Sequence, residues 1–205
     1  MSRLAARFAA LKAEGRGGLV AFVTAGDPTA DLSSEILAGL PAADAAAAGV
    51  DGLIVVDLPP EEETELSVPA RAAGIDIIRL VAPTTTDARI ATLVENASGF
   101  VYYVSVRGTT GTSSAAAGDI ASNVARIRKQ TDLPVAVGFG IRTPEQAADV
   151  AQVADAAVVG TAIVEQVAAA LGPDGAPSGQ VVENTLGYVS KLAASVRVAR
   201  RGDVG

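Results

Sequence analysis

The run Val135-Ala136-Val137-Gly138-Phe139-Gly140-Ile141 leads through Thr143-Pro144-Glu145-Gln146 to Ala156-Ala157-Val158-Val159-Gly160-Thr161, and it decides the fold. Val135–Gly138 is four residues of small or β-branched character with no polar alternation, which marks a parallel strand covered on both faces. Glycines follow it at once. Thr143 then supplies a helix N-cap, Pro144 a proline at the first helical position and Gln146 the far partner of a capping box. This helix is expected to reach Val153. Ala156–Val159 repeats the buried-strand signature, and Gly160-Thr161 leads into another helix from about Ala162. A strand, a crossover helix and a second strand of the same kind make a right-handed βαβ unit.

The same alternation extends through the chain. Strands are expected at residues 19–24, 52–57, 76–81, 100–106, 135–138 and 156–159, separated by Ala-rich helical stretches. Ile120, Val124 and Ile127 recur at helical spacing and predict one buried stripe before Thr131 and Pro134. Residues 2–14 read as an amphipathic leading helix ended by Gly15 and Gly17. Residues 178–200 read as a final helix, with Arg197, Arg200 and Arg201 near the negative pole of its dipole. Residues 172–177 form only a loop between the last two helices. No linker separates domains, so residues 1–205 are expected to form one domain.

Composition narrows the chemistry. The 205 residues include no Cys, His or Trp, and 16 Lys and Arg stand against 23 Asp and Glu. At 49% hydrophobic and 19% charged, the chain is too apolar for intrinsic disorder. The absence of Cys excludes disulfides, thiolate metal sites and a cysteine nucleophile. Without His, the usual triads and most zinc centres are excluded too. Acid–base chemistry therefore falls to Asp, Glu, Lys or Tyr, and neither a metal nor a cofactor is expected. A net charge of −7 argues against nucleic acid as a partner. No apolar run approaches the roughly 18 to 20 residues that span a bilayer. Residues 1–17 lack the continuous apolar stretch of a secretory signal, so the cytosol is the expected compartment.

The functional signals are glycine loops after the late strands: Gly108-Thr109-Thr110-Gly111, Phe139-Gly140-Ile141 and Gly160-Thr161. One such loop commonly does no more than end a strand. Three at one end of a parallel sheet can converge on a single anion, because glycine lets backbone N–H groups approach phosphate oxygens and a helix N-terminus adds its dipole.

Four segments carry a specific resemblance. They are Ala21-Phe22-Val23-Thr24-Ala25-Gly26-Asp27-Pro28, Gly52-Leu53-Ile54-Val55-Val56-Asp57-Leu58-Pro59, Phe100-Val101-Tyr102-Tyr103-Val104-Ser105 and Val137-Gly138-Phe139-Gly140-Ile141. In order and spacing the chain resembles the tryptophan synthase α chain. That family is a (β/α)8 barrel of the TIM type that cleaves indole-3-glycerol phosphate to indole and glyceraldehyde 3-phosphate, and it passes the indole to a β chain. The resemblance places Gly111, Gly140, Gly160 and Thr161 at the substrate phosphate. It places Phe22, Tyr102 and Phe139 around the indole ring, and Thr110 in the loop that closes over substrate.

The resemblance also has a gap. Ile36-Leu37-Ala38-Gly39-Leu40-Pro41-Ala42-Ala43 looks like the end of the family's first helix, and Asp44-Ala45-Ala46-Ala47-Ala48-Gly49-Val50-Asp51 like the end of its third. Between them the family has a strand ending in a catalytic Glu, a loop bearing a catalytic Asp in a Pro-Phe-Ser-Asp-Pro motif, a helix and a third strand. No such motif occurs here, so no catalytic residue is assigned. Asp57 is the one strand-end carboxylate left, and it matches a family position near the α–β contact. Glu61, Glu62 and Glu63 read as the acidic first turn of a helix, and Arg107 as either a phosphate partner or a solvated charge.

The expected molecule is therefore a TIM-type barrel shortened to about six parallel strands, closed tightly or open with exposed edges that favour self-association. It would bind indole-3-glycerol phosphate or a related phosphate ligand without lyase turnover, and its binding to a β chain is open because family contacts include the missing loops. The alternatives are a non-catalytic phosphate-ligand binding or scaffold module, an engineered minimal barrel, or another phosphate-binding enzyme using Asp57 as base.

Overall fold

The computed structural model describes residues 2–21, 28–29, 31–32, 35–36, 51–56, 58–72, 74–105, 113–138 and 140–199. The elements are α1 (Arg3–Ala13), β1 (Gly18–Ala21), β2 (Gly52–Ile54), a 3₁₀ turn (Pro60–Glu62), α2 (Thr64–Ala72), β3 (Asp76–Val81), α3 (Asp87–Glu95), β4 (Val101–Val104), α4 (Ser113–Arg128), β5 (Val135–Gly138), α5 (Pro144–Val153), β6 (Ala156–Val159), α6 (Thr161–Ala169) and α7 (Val181–Ala199). All six expected strands are present, β3, β5 and β6 with the expected bounds. The helix joining the first two expected strands falls largely on residues outside those described.

The strands form one parallel sheet in the order β1-β6-β5-β4-β3-β2. Among the described residues β1 pairs only with β6 and β2 only with β3, so the sheet is a half-barrel, the open form of the two expected. β2 is shorter than its apolar sequence suggests. Its ladder to β3 ends at Ile54↔Ile78. Val55 and Val56 lie beyond it, and Val56 is 73% exposed. The apolar run predicted a strand to residue 57; Val55 and Val56 have no ladder partner, and Asp57 lies outside the described residues.

Alternation along each strand divides the interior in two. Val101 and Tyr103 of β4, Val135 and Val137 of β5, and Ala157 and Val159 of β6 face the helices, where Ile90, Ile127, Ile163 and Leu192 complete a dry outer core. The predicted stripe of α4 belongs to it, with Val124 and Ile127 buried and Ile120 packed against them. Ile78, Ala136, Ala156 and Val158 point to the opposite, concave face. There α1 lies against the sheet through Leu4 and Phe8, and the Phe8 and Phe100 rings pack at 5.6 Å between centroids. Small side chains at Ala136 and Ala156 leave room for them. Phe100 precedes β4 and Ala156 opens β6, so α1 fills the N-terminal end of the concave face and leaves the C-terminal end for other use.

The capping box predicted for α5 is present. The Thr143 hydroxyl accepts from Gln146 N–H at 3.3 Å, and the Gln146 side-chain oxygen Oε1 accepts from Thr143 N–H at 3.2 Å. The Ser2 and Thr86 hydroxyls cap α1 and α3, accepting from Ala5 N–H and from Arg89 N–H. Residues 31–32 and 35–36 are helical, and Ile36 is buried against Val167, Ala170 and Val181 of the α6–α7 region. No described helix is long and apolar enough to cross a membrane.

Candidate functional site at the C-terminal ends of β4, β5 and β6

Parallel pairing brings two of the predicted loops, those at Gly140 and at Gly160-Thr161, to one end of the sheet, while the loop at residues 108–111 lies outside the described residues. Gly138 of β5 pairs with Val158 of β6, and Val104 of β4 pairs with Gly138. Gly140 and Gly160 each follow one member of the Gly138↔Val158 pair by two residues, so they leave neighbouring strands at the same level. Gly140 has φ +72°, in the left-handed region that only glycine enters readily. Gly160 is the N-cap of α6, with φ −123° and ψ −83°, and no side chain caps that helix. Its carbonyl accepts from Ile163 at 2.8 Å and from Val164 at 3.2 Å, starting the helix, while the first-turn N–H groups are the ones a helix leaves without intrahelical partners. Thr161, the first residue of α6, is exposed, and its hydroxyl adds a donor beside those N–H groups.

Tyr102 sits on the concave face of β4, partly buried against the cluster of Ile78, Ala136 and Val158. Burial holds its phenol above the usual tyrosine range, so it is neutral at physiological pH and acts as a hydrogen-bonding group rather than an anion. The approach of β4, β5 and β6 here depends on Gly138. A Cβ at that position would lie 2.8 Å from the Tyr102 hydroxyl and 2.8 Å from the Val158 carbonyl oxygen. Gly140, Gly160 and Thr161 thus leave the sheet at its C-terminal end, while Tyr102 stands level with Ala136 and Ala156 and extends its hydroxyl to Gly138. Phe22, Thr110, Gly111 and Phe139 lie outside the described residues, as do Asp57 and Arg107.

Two charged groupings escaped the sequence reading. The first surrounds Arg142, two residues beyond Gly140. Its guanidinium makes a two-point ion pair with Glu165 of α6, one contact at 2.9 Å, and Tyr188 of α7 donates to its carbonyl at 2.6 Å. Its N–H donates to Gln146 at 2.7 Å. The Glu165 carboxylate holds the Arg142 guanidinium above its ordinary range. The second lies under the β2–α2 connection. Glu63 and Arg79, each 4% exposed, form a buried ion pair. Arg79 also donates to the Leu58 carbonyl at 3.2 Å, and Arg71 stands 3.4 Å from Glu63. Only Glu61 and Glu62 belong to the acidic turn expected for Glu61–Glu63, and Glu61 pairs with Arg89 in solvent. Glu63 turns inward instead. Arg79 within Ile77-Ile78-Arg79-Leu80-Val81 was the available signal, because a cation in a buried strand needs a counter-ion.

Known proteins agree with this architecture. A family model described as tryptophan synthase alpha chain matches residues 42–196. The tryptophan synthase alpha chain of Acidiphilium cryptum (strain JF-5) is 42% identical over 274 aligned positions, covering 98% of this chain and 99% of that one. The crystal structure of the tryptophan synthase alpha chain from Legionella pneumophila subsp. pneumophila superposes with a TM-score of 0.80 at 23% identity, over 96% of this chain and 97% of that chain. A Mycobacterium tuberculosis tryptophan synthase structure in space group F222 gives 0.78 at 25% identity, over 96% and 98%. The chain belongs to the tryptophan synthase alpha chain family.

Proposed function

We propose that this chain is a shortened tryptophan synthase α-like protein that binds indole-3-glycerol phosphate or a related phosphate ligand but does not cleave it. The observation that carries the reading is the uncapped N-terminus of α6 at Gly160-Thr161, level with the left-handed turn at Gly140 on the neighbouring strand. A helix N-terminus beside an open glycine turn suits a phosphate through N–H donors and the dipole. Tyr102 on the adjacent concave face suits the ring of the substrate.

The shortening is supported by the alignment to the Acidiphilium relative, whose 274 positions exceed the 205 residues available here by about 70. The family match starts at residue 42, beside the junction at Ala43 and Asp44. The reading removes the strand and loop that carry both family carboxylates. Cleavage needs a proton delivered to the indole carbon and another taken from the glycerol hydroxyl. Positioned acids and bases typically contribute about 10²–10⁴-fold each, and the chain has no His, no Cys and no Pro-Phe-Ser-Asp-Pro motif. Phosphate contacts hold substrate and transition state about equally and do not lower the chemical barrier alone.

Calorimetric titration with indole-3-glycerol phosphate, followed by an indole-release assay, tests both halves. Binding without release is expected. Release at the rate of a full-length α chain overturns the second half, and Asp57→Asn is then the first substitution to try. A Gly140→Asp variant, which brings a carboxylate to the anion, is expected to abolish binding. Binding to a tryptophan synthase β chain remains part of the proposal and is measured by co-sedimentation. So does self-association through the β2 end, where Ile54, Val55 and Val56 are exposed.

A further inference from the structure

We infer that Arg142 and Glu165 are positioning residues that hold the Gly140 turn and the N-terminus of α6 in register for a phosphate; the inference rests on the phosphate reading above. Every polar part of Arg142 is tied to a different place. Its N–H donates to Gln146 in α5, its carbonyl accepts from Tyr188 in α7, and its guanidinium grips Glu165 in α6 with two nitrogens. Glu165 lies one helical turn beyond Thr161. Arg142 lies two residues beyond the left-handed Gly140. The ion pair therefore joins directly the two segments whose N–H groups would share one anion and which belong to different βα units.

The pair faces solvent, with 56% and 48% of the two side chains exposed, so its contribution to overall stability is small. A fork-to-carboxylate contact nevertheless fixes direction as well as distance. Arg142 is thus assigned to the second role, orientation of the loop. Direct contact with the phosphate predicts the opposite response to loss of Glu165. A directly binding Arg142 would be freed from its counter-ion and would hold an anion more tightly.

The test is titration of the full chain with inorganic phosphate and with glycerol 3-phosphate, by calorimetry, for wild type, Arg142→Ala, Glu165→Ala and the double variant. Each single variant is expected to weaken binding about fivefold, the scale of a well-aligned exposed pair, and the double variant no more than either. Arg89→Ala, which breaks a similar exposed pair with Glu61, should leave affinity unchanged. Amide exchange at Gly140 and Ile141 should quicken in Arg142→Ala and Glu165→Ala but not in Arg89→Ala. Unchanged or tighter binding by Glu165→Ala overturns the inference while the phosphate reading stands. A wild-type chain that binds neither anion overturns the phosphate reading and this role with it.

Discussion

Replacing Arg79 with Met tests the buried charge under the β2–α2 connection. Arg79 and Glu63 are each 4% exposed, and Arg79 also satisfies the Leu58 carbonyl at 3.2 Å. Removing the guanidinium leaves a carboxylate in a dry site and a carbonyl without its donor. Breaking such a pair on one side costs about 3–5 kcal/mol. Arg71, 3.4 Å from the same carboxylate and 40% exposed in its side chain, offers partial compensation and places the expectation near the lower end, about 3 kcal/mol. For a domain of this size each kcal/mol moves Tm by about 2–4 °C, so the loss should be about 6–12 °C. Urea denaturation followed by circular dichroism reads it as a lower midpoint with an unchanged slope. The double variant Glu63→Leu, Arg79→Met should recover to within about 1 kcal/mol of wild type, because apolar residues of similar volume often replace a buried pair without loss. A single variant within about 0.5 kcal/mol of wild type would refute the reasoning, since water would then be screening the carboxylate.

Gly138→Ala should cost about 1–3 kcal/mol, because the new Cβ meets a backbone carbonyl that cannot turn aside; Gly187→Ala in α7, with nothing within 4 Å of the new carbon, should instead stabilise by about 0.5–1 kcal/mol, and urea midpoints separate the two. Burial raises all three phenols of the chain, Tyr102, Tyr103 and Tyr188, so each holds its proton more tightly folded than unfolded. The unfolded chain therefore ionises first, near pH 10, and this contribution, whole below that pH, is lost as pH climbs toward the folded-state values. Urea midpoints should fall above about pH 10, with a smaller fall in Tyr102→Phe. Thr143→Ala removes one half of the capping box of α5 and should cost about 1 kcal/mol, read in the same denaturation series.

The strands, the capped helices and the glycine turns were legible from the amino-acid order because their causes are local. A buried strand shows its lack of polar alternation within four residues, and the Thr143–Gln146 box is complete within four as well. Gly140 and Gly160 were legible for the same reason, since a left-handed turn and a helix N-terminus are properties of a few consecutive residues. Tyr102 was placed by its resemblance to family positions, and the structure puts it on the concave face.

The ion pairs were not legible. Arg142 and Glu165 are 23 residues apart in different elements, and nothing near either one names the other. Glu63 looked like part of a solvated acidic turn until β3 brought Arg79 beneath it. Whether six strands would close was also beyond local sequence, because closure depends on tilt and stagger summed around the whole sheet. By itself the sequence determined which segments are strands, where helices begin and which glycines bend the chain. Tertiary structure decided which charges meet, which strands lie at the ends of the sheet and which end α1 fills, because those outcomes depend on distances between elements that no local run of residues encodes.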